Sequence, residues 1–397
     1  MKRLIILLYP FNFRKFDFER FEIEKLRKEN DVIIFDFIDI LYPNFAKAYF
    51  KDNKISKKVK KVKNIYAFKK SIFYLIKNYG KENILVLNFV KNDTLKSVKI
   101  NHFIKSNNLK SVGFFNPGVS TYNFRVSTNF NLNKILIFIL KRKNETIQKL
   151  KGKILNLLVK MNKINPDFLL VAGKHCKNQI RNHCKKNKIK IIDGHSWDYS
   201  SILRNKFKKK SQFKDYAVYL DAPGPKFLSD SFMFGEKFPE TVEHTYPSLN
   251  NFFSYLEKKE SIKVIIAPHP KTKIKDKSSL FDYRRVISNK TQDLIKYSKF
   301  IITRNSTAVM FAAYYKKPII LFYTDELIHT VSQKNTLDLA NALKVNVINI
   351  NQLGSINLKK IFKFNKNFYN RYLLNYCTTN KNKVPNYKLI TNLFNNN

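Results

Sequence analysis

At 397 residues the chain is long enough for two domains, and its hydrophobic content of 44% supports ordinary cores and excludes an intrinsically disordered protein. Three cysteines, an odd and sparse count, exclude a disulfide framework and predict a reducing, cytoplasmic compartment. The formal net charge of +46 leaves two interpretations open: solvated basic faces with a general attraction to anionic membranes, or a specific groove for a polyanion.

The amino terminus carries Lys2 and Arg3 ahead of an apolar run, as a signal peptide does, but the run stops at Pro10 and no small-residue cleavage site follows. This pattern predicts the first strand of a Rossmann-like domain. Apolar runs such as Ile135–Leu140 are far shorter than the ~20 residues that span a bilayer. We therefore expect a cytoplasmic protein whose only membrane association would be peripheral, at the inner membrane.

Short apolar runs in the first half alternate with helix-like segments, which is the pattern of a parallel α/β sheet with helices on both faces. A long helix is predicted at about 133–162, and Asn165-Pro-Asp167 ends it before the next strand. The predicted strands are Leu4–Leu8, Val32–Phe37, Ile84–Val90, Ser111–Phe115, Phe168–Val171 and Ile189–Ile192.

A Lys-rich segment at 203–215 has no apolar periodicity and separates a second α/β series from the first. It predicts domains at 1–205 and 206–360, with a terminal helix and tail at 361–397 whose helix Phe368–Tyr376 would cross back to the first domain. The predicted strands are Tyr216–Leu220, Val264–Ala267, Phe300–Thr303, Ile319–Tyr323 and Val345–Ile350. The predicted helices are Val242–Lys258, Thr291–Ser298, Ser306–Tyr315 and Thr336–Leu343.

Candidate proton acceptors lie where the two series meet. Gly194 allows a sharp turn after the last strand of the first series, so His195 and Asp198 would overhang the end of that strand, where either could act as a base. Trp197 between them is expected in the core, with stacking on a sugar as the alternative. Asp221 ends the first strand of the second series before a Pro-Gly-Pro turn, and both catalysis and an Asx turn remain open for it.

A His-Pro turn follows the strand predicted at Val264–Ala267. Pro270 restricts His269 to an extended conformation, so the imidazole would face the crevice at the strand's carboxyl end, where ligands bind in open α/β sheets. Lys271 adds a positive charge beside it. The group predicts a phosphate site, and a histidine that only caps the strand end is the alternative.

A second polar group, Arg304-Asn-Ser306-Thr307, follows the strand predicted at Phe300–Thr303. Hydroxyl groups and backbone N–H groups at a helix start can bind a phosphate, and Arg304 could pair with the same anion. A plain helix cap at Ser306 or Thr307 and a surface role for Arg304 are the alternatives. Two phosphate-binding elements at neighbouring strand ends predict a site for a nucleotide-linked donor.

Two His-Cys pairs, His175-Cys176 and His183-Cys184, lie eight residues apart. Zinc sites use closer pairs, at a spacing of two to four residues. We therefore expect no metal site here, and we expect no cofactor.

The stretch from about 215 to 350 resembles the C-terminal half of GT-B glycosyltransferases and of CDP-glycerol polymerases, and most nearly bacterial sialyltransferases and Kdo transferases, which use CMP-activated sugars. The matching residues are His269-Pro270, Ser306-Thr307 and Lys317-Pro318. The resemblance implies two Rossmann-like domains facing across a cleft, with nucleotide phosphates held by the His269-Pro270 turn and by Ser306 and Thr307; the charge of Lys271 would add to this site. No Gly-rich loop follows the first strand, and the paired acidic residues of many sialyltransferases are absent from the sequence.

The resemblance implies a metal-independent, inverting glycosyltransferase of capsule, lipopolysaccharide or other cell-surface polysaccharide synthesis. Its first domain would bind a glycan or lipid-linked acceptor, and its second a nucleotide-sugar, CMP- or CDP-linked in preference. Two alternatives remain: a nucleotide-sugar 2-epimerase of the same fold, against which the low acidic content counts, and a non-catalytic polyanion-binding protein. Lysines outnumber arginines and are dispersed, so we expect no specific nucleic-acid partner.

Overall fold

A computed structural model describes residues 3–49, 59–115, 153–204, 213–222, 224–225, 239–269, 279–379 and 383–394. It contains two parallel β-sheets, each covered by helices on both faces. The first sheet comprises β1 (Leu4–Tyr9), β2 (Asp31–Asp36), β3 (Val59–Lys61), β4 (Ile84–Asn88), β5 (Lys110–Phe115), β6 (Phe168–Ala172) and β7 (Lys190–Gly194). Its strand order is β3-β2-β1-β4-β5-β6-β7.

The strand β1 lies inside the first sheet, between β2 and β4, and its six residues are all buried because helices cover both of its faces. Alternate side chains of β1 enter different cores: Leu4 and Ile6 pack on one face of the sheet, and Ile5 and Leu7 on the other. The apolar run before Pro10 is therefore a strand of the first sheet, as the sequence predicts.

The helices of the first half alternate with these strands. On the face of Leu4 and Ile6 lie helices α5 and α6, and α2 packs on the opposite face. A further helical segment at 153–161 packs against α6 through Leu155. The helices are α1 (Lys15–Arg20), α2 (Ile23–Leu26), α3 (Ile38–Leu41), α4 (Pro43–Tyr49), α5 (Ile65–Tyr79), α6 (Leu95–Ser106), α7 (Lys174–Lys186) and α8 (Trp197–Arg204).

The second sheet comprises β8 (Tyr216–Leu220), β9 (Lys263–Ala267), β10 (Ile301–Thr303), β11 (Ile319–Tyr323) and β12 (Val347–Asn349). Its strand order is β12-β11-β10-β8-β9, and all its pairs are parallel. The accompanying helices are α9 (Val242–Glu260), α10 (Thr291–Tyr297), α11 (Val309–Tyr315), α12 (Val331–Leu343) and α13 (Leu358–Ile361). Because β8 lies between β10 and β9, the carboxyl ends of these three strands are side by side.

The end of the chain returns to the first sheet through α14 (Lys366–Tyr372), a π-helix at Leu373–Cys377 and α15 (Asn386–Thr391). Tyr369 and Tyr372 are fully buried in a core that includes residues of both sheets, such as Val171 and Val218. Past the π-helix, the N–H of Thr379 donates to the carbonyl of Gly194, 3.1 Å away, at the end of β7. The crossing predicted for Phe368–Tyr376 therefore occurs.

All eleven predicted strands are present, with bounds shifted by at most a few residues. The strand β3 was not predicted, because a three-residue Val-Lys-Lys segment has no apolar pattern and forms only by pairing with β2. Two helix starts differ: α11 begins three residues later than expected and α12 five residues earlier. Most of the helix predicted at 133–162, the run Ile135–Leu140 and the boundary at 205/206 lie outside the described residues.

Candidate functional site

Three neighbouring strand ends in the second sheet carry the predicted polar residues. Asp221 follows β8, His269 lies two residues after β9, and Arg304 begins the loop after β10. The backbone N–H of His269 donates to Asp221 Oδ2 over 3.4 Å, and the N–H of Asp221 donates to the carbonyl of Ala267 over 3.0 Å. These bonds hold the loops after β8 and β9 together, so the structure brings Asp221 and His269 into direct contact.

His269 is half-buried, and Pro268 before it is buried. The side chain therefore lies at the surface of the strand-end crevice rather than inside the core. Pro270 and Lys271, predicted to share the site, lie outside the described residues.

Arg304 is buried and forms an ion pair with Glu240, which is also buried. Burial alone would lower the pKa of Arg304, but the negative charge of Glu240 outweighs it and raises the pKa, so the guanidinium stays charged. Tyr219 and Tyr246 lie close enough to be influenced by Arg304, and burial raises the pKa of both. These contacts favour a scaffold role for Arg304 beneath the site over the phosphate contact predicted for it.

Ser306 and Thr307 lie between β10 and α11. Ser306 is half-buried, and its Oγ accepts the N–H of Ala308 over 3.3 Å, whereas Thr307 is exposed. A hydroxyl that accepts one hydrogen bond can still donate another, so Ser306 can cap this turn and bind an anion. Because α11 has only seven residues, the two hydroxyl groups rather than the helix dipole would provide most of the attraction.

Asp221, His269, Ser306 and Thr307 form what we call the strand-end site. It combines an imidazole, a carboxylate, two hydroxyl groups and backbone N–H groups at the ends of β8, β9 and β10. Imidazole and hydroxyl groups can stabilise the charge that develops on a leaving phosphate, and a carboxylate can accept a proton.

His195 lies at the corresponding edge of the first sheet, after β7, but its surroundings differ. The residue is 1% exposed; its Nδ1 lies 2.8 Å from the Thr378 hydroxyl and its Nε2 3.0 Å from the Val384 carbonyl. A carbonyl only accepts, so Nε2 carries the proton and Nδ1 accepts from Thr378. Burial lowers the pKa of His195 to about 4. These contacts favour a structural role for His195 over the predicted role of base.

Asn386 completes this attachment of the chain's end. Its Oδ1 accepts the N–H of His195 over 3.0 Å, and its Nδ2 donates to the carbonyl of His195 over 2.9 Å. Its own N–H donates to Ser200 Oγ, and the Ser200 hydroxyl donates to Glu22 Oε1 over 2.8 Å. Sequence reasoning missed Asn386 and Glu22, since partners that lie 178 to 191 residues away leave no local signal.

Asp198 is half-buried in the first turn of α8. Its charge acts on the buried Tyr372 and Cys377, so it lies beside the returning end of the chain. The ring of Tyr199 contacts the ring of Tyr314, with 6.0 Å between their centroids. Tyr314 lies in the last turn of α11. The first turn of α8 therefore lies beside α11, the helix that follows the Ser306-Thr307 turn.

A cavity of about 360 Å³ lies in the first sheet, around β5 and α6. Its wall includes Asn88, Lys105 and the rings of Phe89, Phe114 and Trp197. Phe89 and Phe114 stack at 4.2 Å, and Trp197 is buried against them. The core position expected for Trp197 is therefore the one observed, with part of its ring on the cavity wall.

No protein-family model and no curated protein matches the chain. Solved structures do match along nearly its whole length. A putative UDP-N-acetylglucosamine 2-epimerase from Listeria monocytogenes is 12% identical with a TM-score of 0.53, and the alignment covers 100% of this chain and 98% of that one. A variant of the wall teichoic acid polymerase TagF is 11% identical with a TM-score of 0.54, covering 99% of this chain and 88% of that one.

A second TagF variant gives a TM-score of 0.51 at 13% identity, with the same coverage of 99% and 88%. The chain forms two α/β domains, built on seven and five parallel strands, and it aligns with these proteins over its full length. These two observations establish the architecture. The fold is GT-B. At such identities the likeness extends to the fold alone, so the residues of the site have to support any function.

Two further observations concern the part of the chain that the structure describes. It holds no group of three or more His, Cys, Asp or Glu that could bind a metal ion. None of its helices has both the length and the apolar character that crossing a bilayer requires.

Proposed function

We propose that the protein is a glycosyltransferase that moves a sugar from a nucleotide-activated donor to a cell-surface glycan. The strand-end site carries the proposal, because Asp221 and His269 are in contact and the Ser306-Thr307 turn lies at the next strand end. In a GT-B fold this edge faces the cleft, and convergent polar groups at such an edge are typical of a ligand site.

In the proposed reaction, His269, Ser306 and Thr307 bind the phosphate of the donor and stabilise the charge it gains as the glycosidic bond breaks. A CMP- or CDP-linked donor is preferred, because the His-Pro and Ser-Thr elements resemble those of enzymes that use cytidine nucleotides. The fold shared with a wall teichoic acid polymerase is compatible with an acceptor that belongs to a cell-surface polymer.

A base must take the proton of the acceptor hydroxyl as the new bond forms. Asp221 is the carboxylate in contact with His269, and Asp198 is the candidate from the first sheet. The cavity around β5 and α6, with its amide groups and stacked rings, lies in the domain that would hold the acceptor, since aromatic faces and amides bind sugars.

A nucleotide-sugar 2-epimerase is the second candidate, because the fold of the Listeria protein aligns with all of this chain and 98% of its own. Such a reaction inverts the sugar at C2 and needs acids and bases around the ring rather than an acceptor. Of the acidic residues near the strand-end site, Glu240 is paired with Arg304. The transferase is therefore the preferred function.

The first experiment measures thermal stabilisation of the protein by CMP, CDP, UDP and GDP, for the wild type and for His269→Ala. His102→Ala is the matched control, since His102 is an exposed helix residue outside the site. We expect cytidine nucleotides to stabilise the wild type and the control, and His269→Ala to weaken binding by roughly tenfold, the loss of one charge-assisted hydrogen bond. Stabilisation by none of the four nucleotides would contradict the proposal.

A second experiment identifies the base and the reaction. Asp221→Asn and Asp198→Asn are compared for turnover of a CMP- or CDP-sugar and for conversion of UDP-N-acetylglucosamine to its 2-epimer. Loss of one catalytic base lowers turnover by about 10²–10⁴-fold, while nucleotide binding is kept. Epimer formation without sugar transfer would replace the transferase by the second candidate.

A further inference from the structure

The two faces of the first sheet differ in the charge of the helices that cover them. The face of Leu4 and Ile6 carries α5, α6 and the segment 153–161, which together contain eight lysines and no Asp or Glu. On the opposite face, α1 and α2 contain three acidic and three basic residues. The three helices on the first of these faces are therefore strongly basic, whereas α1 and α2 together carry no net charge.

The same three helices expose apolar side chains. On α5, Tyr66 is 78%, Phe73 54% and Tyr74 65% exposed. Across the described residues fourteen large hydrophobic side chains are exposed, and seven of them belong to these three helices. Single exposed apolar residues are common on protein surfaces, but a group of this size indicates an interaction site.

The pattern within α5 shows that its outer side is not an ordinary solvated face. Phe68, Ile72 and Leu75 are buried and satisfy the core. The outward side repeats at helical spacing as Tyr66, Lys70, Phe73 and Lys77, aromatic and basic residues in alternation. A surface helix with one apolar face would carry polar residues at Tyr66 and Phe73. The Phe73 ring touches the buried Phe103 ring with one edge, at 5.4 Å between centroids, yet 54% of the residue stays exposed.

We propose that this surface, formed by α5, α6 and 153–161, docks the protein on a bilayer that contains anionic lipid. Tyrosine and phenylalanine rings partition into the interface between lipid headgroups and acyl chains, and lysines around them attract the anionic headgroups. The absence of acidic side chains from the three helices removes the repulsion that would oppose such contact. Nucleic acid is recognised more often by arginine in a groove, and these helices contain no arginine.

The surface lies next to the edge of the first sheet at which its strands end. Tyr66 and Leu95, both exposed, occupy the first turns of α5 and α6, the helices that follow β3 and β4. Docking would therefore place this edge near the headgroups, where a lipid-linked acceptor would be held. The docking itself does not depend on the proposed transfer reaction.

The test is co-sedimentation of the full chain, without nucleotide, with vesicles of phosphatidylcholine alone or with about one-third phosphatidylglycerol, an anionic fraction large enough for the polybasic attraction to act. We expect binding to the anionic vesicles only, and weaker binding as salt screens the charges. Each lysine at an anionic surface contributes about 1 kcal/mol, or roughly fivefold in the partition coefficient. Lys70→Gln with Lys77→Gln should therefore lower it by about 25-fold, and Tyr66→Ser with Tyr74→Ser by on the order of tenfold.

Matched controls use the second sheet's helices. Val331→Ser with Leu337→Ser removes two apolar side chains that are 51% and 47% exposed, and Lys359→Gln with Lys360→Gln removes two exposed lysines. Unchanged thermal midpoints show that each variant is folded. The proposal fails if neutral vesicles bind equally well, if the α5 variants bind as the wild type does, or if the controls lose as much. It also fails if the protein binds a DNA or RNA oligonucleotide through the α5 lysines and binds no vesicle.

Discussion

The carboxyl-end edges of the two sheets carry similar sequence signals but differ in what occupies them. After β7 in the first sheet, the C-terminal segment of the chain covers His195, and both ring nitrogens of His195 lie within hydrogen-bond distance of it. At β9 in the second sheet, His269 is half-buried and its backbone contacts Asp221. A histidine after a buried strand is therefore a weaker candidate for function where the chain's own end contacts both of its ring nitrogens, as at His195.

The edges also differ in how charge is handled. At the first edge, His195 is bonded to Asn386, Thr378 and the Val384 carbonyl, none of which carries a charge. The second edge buries a full ion pair, Arg304 with Glu240, beneath the strand-end site. A buried pair is costly to break because the remaining charge has no solvent around it, so the scaffold of the second edge should be the more sensitive of the two.

The largest effect is expected from Glu240→Gln, which leaves the guanidinium of Arg304 buried without its counter-charge. We expect the free energy of unfolding to fall by about 3–5 kcal/mol, measured by urea denaturation. Glu257→Gln is the control, because its partner Arg284 keeps the Ser254 hydroxyl and the Phe281 carbonyl as acceptors. Replacing both members, Glu240→Leu with Arg304→Met, should recover most of the loss. A loss at Glu257 as large as at Glu240 would remove the contrast between a buried and a half-exposed pair.

The next effect is expected at acid pH from His195. Its folded-state pKa of about 4 lies below the ordinary value of 6.5, so it contributes stability that is present above pH 6.5 and lost as the pH falls towards 4. Across this range the loss amounts to about 3 kcal/mol. Denaturation of the wild type and of His195→Gln between pH 7 and pH 4 measures it. The variant should lack this part of the acid sensitivity.

Subtracting the pH curve of His195→Gln from that of the wild type also removes the opposing contribution of Asp36 to the free energy of unfolding. Burial raises the pKa of Asp36 from 3.8 to about 6, so Asp36 favours folding at low pH and its contribution is lost as the pH rises through 6. This residue accepts the N–H groups of Phe13 and Ile38 in both proteins. Parallel pH curves for wild type and His195→Gln would show that His195 does not titrate as its burial requires.

A smaller effect is expected from Asn386→Ala, which removes both bonds from this side chain to the backbone of His195. The two backbone groups then lie buried without partners, and we expect the free energy of unfolding to fall by about 2 kcal/mol. Asn156→Ala, on an exposed helix position, should change it by less than about 0.5 kcal/mol. Equal values for the two variants would mean that the chain's end does not stabilise the first edge.

The smallest effect on stability is expected from Ser306→Ala at the second edge. Only the bond that Ser306 Oγ accepts from Ala308 is lost, which costs about 1 kcal/mol or less at a half-buried cap. If the hydroxyl binds the donor phosphate, nucleotide affinity should fall more than stability does, by about tenfold. Calorimetric titration beside thermal unfolding separates the two. A stability loss with unchanged affinity would limit Ser306 to capping.

The α/β class, the two series of strands and the near-correct bounds of eleven of the twelve strands that the described residues form follow from the amino-acid sequence alone. Buried parallel strands such as β1 and β11 are continuous apolar runs, so a local pattern is enough to find them. It did not predict β3, whose Val-Lys-Lys sequence forms a strand only because β2 offers an edge.

Which polar residues at the strand ends meet depends on how distant parts of the chain pack. The order β10-β8-β9 brings Asp221 to His269, as their places at strand ends suggested, while the returning end of the chain covers His195. The ion pair between Arg304 and Glu240, 64 residues earlier in the chain, likewise exists only in the folded structure. Hydrophobic periodicity is a local property of the chain, whereas hydrogen bonds and ion pairs between distant residues exist only once the domains have packed.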